Sequence, residues 1–467
     1  MRKHLLLSIL STSWLSLWGQ TTTPLSLLEA LGLAEQNNLT LAIAREAVAA
    51  TTATKGELNS AWYPTLMFSG EYTHTLTEIA AVTSVGEIGG ELLGGLAPIV
   101  EQNPTFAALL GEIGASTIRL PLVPRNTASV GAEVAWVVFS GGKRVAASRI
   151  AKALGTLSAE RYAATEQAVG AMVVEAYLGA ELAQRAVEVR RGGLAVQREH
   201  LREARRLEQE GVINSAERLV AEVGVKEAEA LLRKAESNLE VAREALGVLI
   251  GADSTVVVPT TPLFMPTAIP SKEALLSTVE RAPTLSALGT QQQIAAHALS
   301  IERSRYLPSV ALIGGQQLWS KGLNKNLFPR TAVGVGLSWT LFDGLSRESA
   351  ISRSKASLRT AQVAQEKTRN DLHLAIDKSL ATLTTAISQH KASESTQRVA
   401  EELLRIRRRA FAEGMATSSE VVDAAHKVAE AELLGLATLY TLDTSLSPLL
   451  MLSGTMEQLV TYIPPTD

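Results

Sequence analysis

The chain has 467 residues with seven histidines and no cysteine, so thiolate nucleophiles, disulfides, thiolate metal sites and a lipidated cysteine are excluded. His373 and Asp377 stand four apart and could offer a metal two ligands, although a lone pair on a polar helix is more often surface. No His-Glu-x-x-His, nucleophile elbow or Gly-x-x-x-x-Gly-Lys-Ser/Thr element occurs. Gly334-Val335-Gly336 falls within a strand pattern and lacks the helix start that phosphate binding needs. The expectation is no enzyme, no cofactor and no resident metal. Glu420 and Asp423 are three apart and face the same way on a helix. They would favour a cation if enclosed, and otherwise form an ordinary solvated face.

Composition points the same way. The chain is 46% hydrophobic and 19% charged, with a formal net charge of −3, which gives no sign of a nucleic-acid binder. Arg2 and Lys3, the apolar run from Leu5 to Trp18 and the small Gly19 read as a signal peptide over 1–19, and hence export. The run is short for a membrane anchor. Beyond it, no segment reads as long and apolar enough for a spanning helix, so a membrane span would have to be a β-barrel.

Two tandem repeats organise the remainder. Phe139-Ser140-Gly141 returns as Phe342-Asp343-Gly344, Glu210-Gly211 as Glu413-Gly414, and Ile250-Gly251 as Ser453-Gly454, each at an offset of 203 (342 − 139). Trp62-Tyr63-Pro64-Thr65-Leu66 matches Tyr306-Leu307-Pro308-Ser309-Val310 at 244 (308 − 64), so the first repeat carries 41 extra residues (244 − 203). These fall in about 76–125, a Gly- and Pro-rich stretch read as an extended loop with a short helix near Thr105 to Leu110. The domains read as 20–258 (first repeat), 259–270 (Pro-rich linker), 271–454 (second repeat) and 455–467 (C-terminal tail).

The elements that must position the acids follow from periodicity. Thr127 to Phe139 and Thr331 to Phe342 alternate, with Trp136 and Trp339 in phase, and their partners start after Pro64 and Pro308 at helix-to-strand junctions. Four strands are too few to close a barrel, whereas three chains would give about 12. Proline is absent between Pro124 and Pro259 and between Pro329 and Pro448, which leaves room for long helices. One runs from Lys143 to Glu210, about 100 Å if unbroken, with Ser158, Gly170, Gly179, Gly192 and Gly193 as places where it could bend. After a turn at Gly211 a second helix returns to about Leu249. Leu25 to Ala61 and Lys272 to Arg305 also read as helices. The fold class is mainly α with a small β part.

Leu25-Ser26-Leu27-Leu28-Glu29-Ala30-Leu31, Asn37-Asn38-Leu39, Tyr63-Pro64-Thr65-Leu66 and Leu337-Ser338-Trp339-Thr340-Leu341-Phe342-Asp343-Gly344 resemble motifs of TolC-like outer-membrane efflux proteins. The resemblance implies a homotrimer in the cell outer membrane with a large periplasmic portion. In it, a 12-stranded transmembrane β-barrel in lipid would continue into a long coiled-coil α-helical barrel that meets a periplasmic adaptor and an inner-membrane pump. It also implies a channel constriction at Glu420 and Asp423, with Glu217 in the first repeat, and adaptor contacts at helix tips Gly211 and Gly414. Ala416 stands where the family often has a polar latch residue. The nearby Arg405, Arg407, Arg408 and Arg409 read as solvent-facing, with pairing across helices as the alternative. A periplasmic coiled-coil adaptor or scaffold without a pore would share the helices but lack the strands.

Overall fold

The computed structural model describes residues 22–74, 76, 82–84, 117–119, 126–252, 256–321 and 330–464. The expected signal peptide and the short helix near Thr105 to Leu110 lie outside them. The chain divides into two compact units, the first within Met1–Ala44, Ala163–Ala282 and Asn370–Asp467, the second within Arg45–Tyr162 and Pro283–Arg369.

The elements run β1 (Thr22–Leu25), α1 (Leu27–Asn37), α2 (Leu39–Ser60), β2 (Thr65–His74), β3 (Val82–Ser84), β4 (Thr117–Arg119), β5 (Asn126–Ser140), α3 (Lys143–Gln209), α4 (Ser215–Ile250), β6 (Val256–Pro259), α5 (Lys272–Val279), α6 (Pro283–Ser304), β7 (Ser309–Lys321), β8 (Thr331–Ser338), α7 (Ser346–Ala412), α8 (Ser418–Ser453) and a 3₁₀ segment (Met456–Tyr462). The fold is mainly α with a small β part.

Helices α3 and α7 are each 67 residues without a break. Of the glycines that could have bent α3, Gly170 is a packing position, where a Cβ would lie 3.2 Å from Met456 Cγ, whereas a Cβ at Gly192 would meet nothing within 4 Å. The segments before β2 and β7 are each two helices. Asn38 divides the first: its Oδ1 accepts from Thr40 N at 2.9 Å while its Nδ2 donates to Leu249 O at 2.8 Å. Pro283 opens α6, at the one helical position where its missing N–H costs nothing.

In the first unit, β1 and β6 pair in parallel, and Tyr177 is fully buried against them. Its hydroxyl donates to Leu25 O at 2.7 Å and accepts from Thr260 N and Thr261 N at 2.9 and 2.8 Å. Around it pack Leu27, Leu178, Leu246, Leu446 and Leu450. A second core, rich in alanine (Ala204, Ala221, Ala228, Ala424, Ala425), lies where α3, α4, α7 and α8 meet their turns. Small side chains allow these helices to approach closely.

One expectation is corrected here. Among the described residues, α8 is by length and composition apolar enough to cross a membrane. Its apolar residues have another use: Leu442, Leu446, Leu449 and Leu450 are buried in the protein, and the helix carries the buried Asp443 and runs through Pro448.

In the second unit, β2-β5-β7-β8 form an antiparallel sheet. Leu66 pairs with Val134, Trp136 with Leu312, and Leu312 with Val335. One face therefore gathers Leu66, Phe68, Val134, Trp136, Leu312, Val333, Val335 and Leu337, and no described residue covers it; Val333 is 87% exposed. The other face carries Ser69, Glu71, Ser129 and Glu133. Strands β2 and β8 are edges. Strand β8 stops at Ser338, short of the Phe342 expected, because its partner β7 begins at Ser309, which faces Ser338.

Candidate functional site

The two turns at the ends of the long helices are built alike. Gly211 and Gly414 have φ of 76° and 74°, the left-handed region that glycine enters without steric cost. Val212 N bonds Leu207 O at 2.9 Å, and Met415 N bonds Ala410 O at 2.8 Å, closing both helix ends in the same way. The turns are neighbours, since a Cβ at Gly414 would sit 3.6 Å from Val212 Cγ1.

The three acids have different surroundings. Glu420 completes a capping box: its N–H donates to Thr417 Oγ1 at 3.3 Å, and its Oε2 accepts from Thr417 N at 2.9 Å. Its Oε1 pairs with Arg407 at 3.0 Å. Glu217, its repeat equivalent, accepts from Ser418 N at 2.5 Å, so it caps the neighbouring helix α8. An anion at a helix N-terminus meets unpaired N–H groups and the positive end of the helix dipole. Glu217 and Glu420 are thus brought together at the start of α8. Asp423, one turn on, is exposed and makes no ion pair among the described residues.

The arginine cluster is not uniformly solvent-facing. Arg405 pairs with Glu402 on its own helix and Arg409 with Glu413 just beyond that helix's end, but Arg407 reaches Glu420, and Arg408 donates to Val196 O at 3.3 Å. Two of the four therefore link helices. The leaning to solvent fails for them because residues 407 and 408 lie on the side of α7 that meets α8 and α3.

Inside the turn region, His200 is 2% exposed, with Nε2 2.7 Å from Ser418 Oγ and its ring 4.7 Å from that of Phe411. Burial, then the charge of Arg408, pushes this imidazole down to about 4. It is neutral at pH 7. His373 and Asp377 do not form a ligand pair: Asp377 Oδ1 pairs with Lys272 Nζ at 2.6 Å, and no cluster of three metal-ligating side chains occurs among the described residues.

In the second unit, Pro64 and Pro308 stand immediately before β2 and β7, where fixed φ and a missing donor suit a helix-to-strand passage. A pair of arginines at these junctions was missed by sequence reasoning. Arg144 lies over the Trp62 ring at 4.5 Å and donates to Val138 O and Ala61 O. Arg347 lies over Tyr306 at 4.7 Å and donates to Thr340 O at 2.9 Å and Leu341 O at 2.8 Å. The Trp136 and Trp339 indoles donate to Trp62 O and Tyr306 O. The signal was present, since the arginines are also 203 apart (347 − 144). His200 had no such signal, because Leu403 occupies its place in the second repeat (403 − 200 = 203).

This architecture offers an amphipathic sheet, long helices and a pair of carboxylates, Glu217 and Glu420, at the start of α8. A family model described as outer membrane efflux protein matches residues 103–252 and 275–455. Protein CyaE of Bordetella pertussis is 26% identical over 273 residues, which span 56% of this chain and 56% of that relative's length. The fold is similar to that of CusC (TM-score 0.74, 14% identity, 91% of each chain). It is also similar to the outer-membrane channel CmeC of Campylobacter jejuni (TM-score 0.69, 15% identity, 94% of this chain and 87% of that one). The outer membrane protein VceC of Vibrio cholerae is a third match (TM-score 0.72, 15% identity, 92% and 96%).

Proposed function

Because the chain belongs to the outer membrane efflux protein family, we propose that it works as one of three identical subunits of an exit duct from the periplasm to the exterior. It resides in the outer membrane with a large periplasmic helical portion, and it is not an enzyme. The observation that carries the duct is the sheet. Among the described residues its apolar face is uncovered and its edges β2 and β8 are unpaired, and three copies joined edge to edge would close a barrel of about 12 strands with that face toward lipid. A coiled-coil adaptor without a pore has no use for such a sheet.

The acids at the start of α8 are the proposed constriction. In a ring of three chains, Glu420 and Asp423 would stack two acidic layers, with Glu217 beside them, and such layers select cations and hold divalent ions. Arg407 neutralises part of Glu420, so Asp423 supplies the freer charge. The turns at Gly211 and Gly414 are the proposed contact with a periplasmic adaptor, which would link the duct to an inner-membrane pump in an efflux or type I secretion system. What supports this is their matched geometry and the family.

Purified protein added to planar lipid bilayers should give unitary conductance steps that divalent cations block. The double variant Glu420→Ala, Asp423→Ala should weaken that block. Undiminished block removes the constriction, and absence of any steps removes the duct.

A further inference from the structure

Unpaired basic side chains gather where the helices meet the antiparallel sheet. The segments that enter and leave its four strands there, 46–64, 141–157, 290–308 and 339–360, hold eleven lysines and arginines against five acids, a surplus of +6 (11 − 5), while the whole chain carries −3. Lys143, Arg149 and Lys152 on α3, Arg303 on α6, and Arg353 and Lys355 on α7 are exposed, and none forms an ion pair among the described residues. Farther along α3 the pattern reverses, since Arg185, Arg191, Arg198, Arg202 and Arg206 each pair with a glutamate. Positive charge left unanswered at one level of the chain attracts an anion from outside it.

The aromatic residues indicate which anion. Trp62, Tyr63, Trp136, Tyr306, Trp339 and Phe342 stand at these same junctions and are all exposed, from 40% for Trp62 to 76% for Phe342. In a chain with only 4% aromatics this is a concentration. The apolar sheet face, with Leu66 and Leu337 at its helical end, thus runs first into tryptophan and tyrosine and then into lysine and arginine. A lipid leaflet presents the complementary order, from acyl chains through the interface to phosphate.

We infer that this zone is a docking surface for the headgroups of anionic phospholipids in the leaflet that faces the periplasm. It rests on the reading of the sheet as the wall of a barrel in lipid. Helix α3 carries the surface most plainly. Its strand β5 lies between β2 and β7, and the helix itself is flanked within the chain, by α2 where Ser148 donates to Asn59 Oδ1 at 2.7 Å and by α6 where Ser286 donates to Glu160. Val145, Arg149 and Lys152, spaced four and three apart, form an exposed stripe that neither flanking helix covers, so it is not a seam between copies. Lys143 opens α3 and Arg303 lies in the last turn of α6. Arg149 and Arg353 lie roughly 10 Å farther along their helices, about one Debye length at 0.1 M salt, and their long side chains can reach back toward the leaflet.

Reconstitution of the full chain in two kinds of vesicle tests the surface. In phosphatidylcholine mixed with phosphatidylglycerol the protein should unfold, by heat-modifiable gel migration, several degrees higher than in phosphatidylcholine alone, and high salt should abolish the difference. The triple variant Lys143→Gln, Arg149→Gln, Lys152→Gln should lose most of that difference while its unfolding temperature in phosphatidylcholine stays at the parent's. Arg233→Gln, Lys234→Gln, Lys391→Gln, which removes the same charge outside these segments, should keep it. Equal parent temperatures in both vesicles, or equal loss in both variants, overturns the surface. So does an α3 variant that keeps the vesicle difference but changes the channel's preference for cations over anions, since its charges would then line the pore. Inorganic phosphate added to phosphatidylcholine vesicles should not reproduce the difference; if it does, the site takes a free anion and the membrane contact is wrong. A parent chain that floats with neither kind of vesicle removes the barrel, and the surface with it.

Discussion

Asp443 is fully buried in α8, where its Oδ2 accepts from Phe264 N at 3.0 Å and its Oδ1 has no partner among the described residues. Burial raises its carboxyl from the ordinary 3.8 to about 8. Between those values the folded chain keeps a proton that the unfolded chain releases, so this group makes stability fall as pH rises across about 4 to 8. Asp443→Asn keeps an acceptor for Phe264 N and removes the ionisation. Its melting temperature should exceed that of the parent at pH 8, on the order of several degrees, and match it near pH 4; parallel melting curves at both pH values would sink the assignment. His200 works in the opposite sense. Its folded value of about 4 lies below the ordinary 6.5, so the stability it contributes is present at neutral pH and lost as pH falls through that window. Amides of 404–425 should lose exchange protection at pH 5 in the parent and keep it in His200→Gln. Glu217→Ala removes the carboxylate that caps α8 and should cost about 1 kcal/mol, read as a lower melting temperature, with Glu217→Gln recovering part of the loss.

At the scale of elements, Arg347 holds the end of β8. Its guanidinium takes the carbonyls of Thr340 and Leu341, which have no strand opposite them, and lies over Tyr306. Arg347→Ala should remove both charge-assisted hydrogen bonds and the contact with the Tyr306 ring and cost about 2 to 3 kcal/mol, whereas Arg347→Lys should recover little, since a point charge cannot span both carbonyls. Heat-modifiable migration on gels, shifted to lower temperature, would report it. These elements also show how much was legible beforehand. The four strands of the antiparallel sheet, the two long hairpins and their turns followed from alternation, proline spacing and a repeat at 203, because each is set by local pattern, whereas the short strands β1, β3, β4 and β6 did not. The end of β8 was misplaced because alternation continues through Leu341, while the ladder ends where β7 begins. The apolarity of α8 is hard to see in the sequence because its leucines lie among small and polar residues, and they serve a buried core. The roles of Glu217, Arg407 and His200 depend on which helix lies opposite, and a single helix's sequence does not carry that information.

At the scale of the molecule, the sheet makes one demand: it is not complete in a single chain. Among the described residues, strands β2 and β8 leave two edges and an apolar face. Four strands require about three copies to close a cylinder. The copy number is therefore the quantity on which the duct and its constriction both depend. The most direct measurement is the mass of the complex extracted from outer membranes in detergent, resolved by native mass spectrometry. The account predicts a single species of three chains, each at most 49.7 kDa. A monomer, or any copy number other than three, would contradict it.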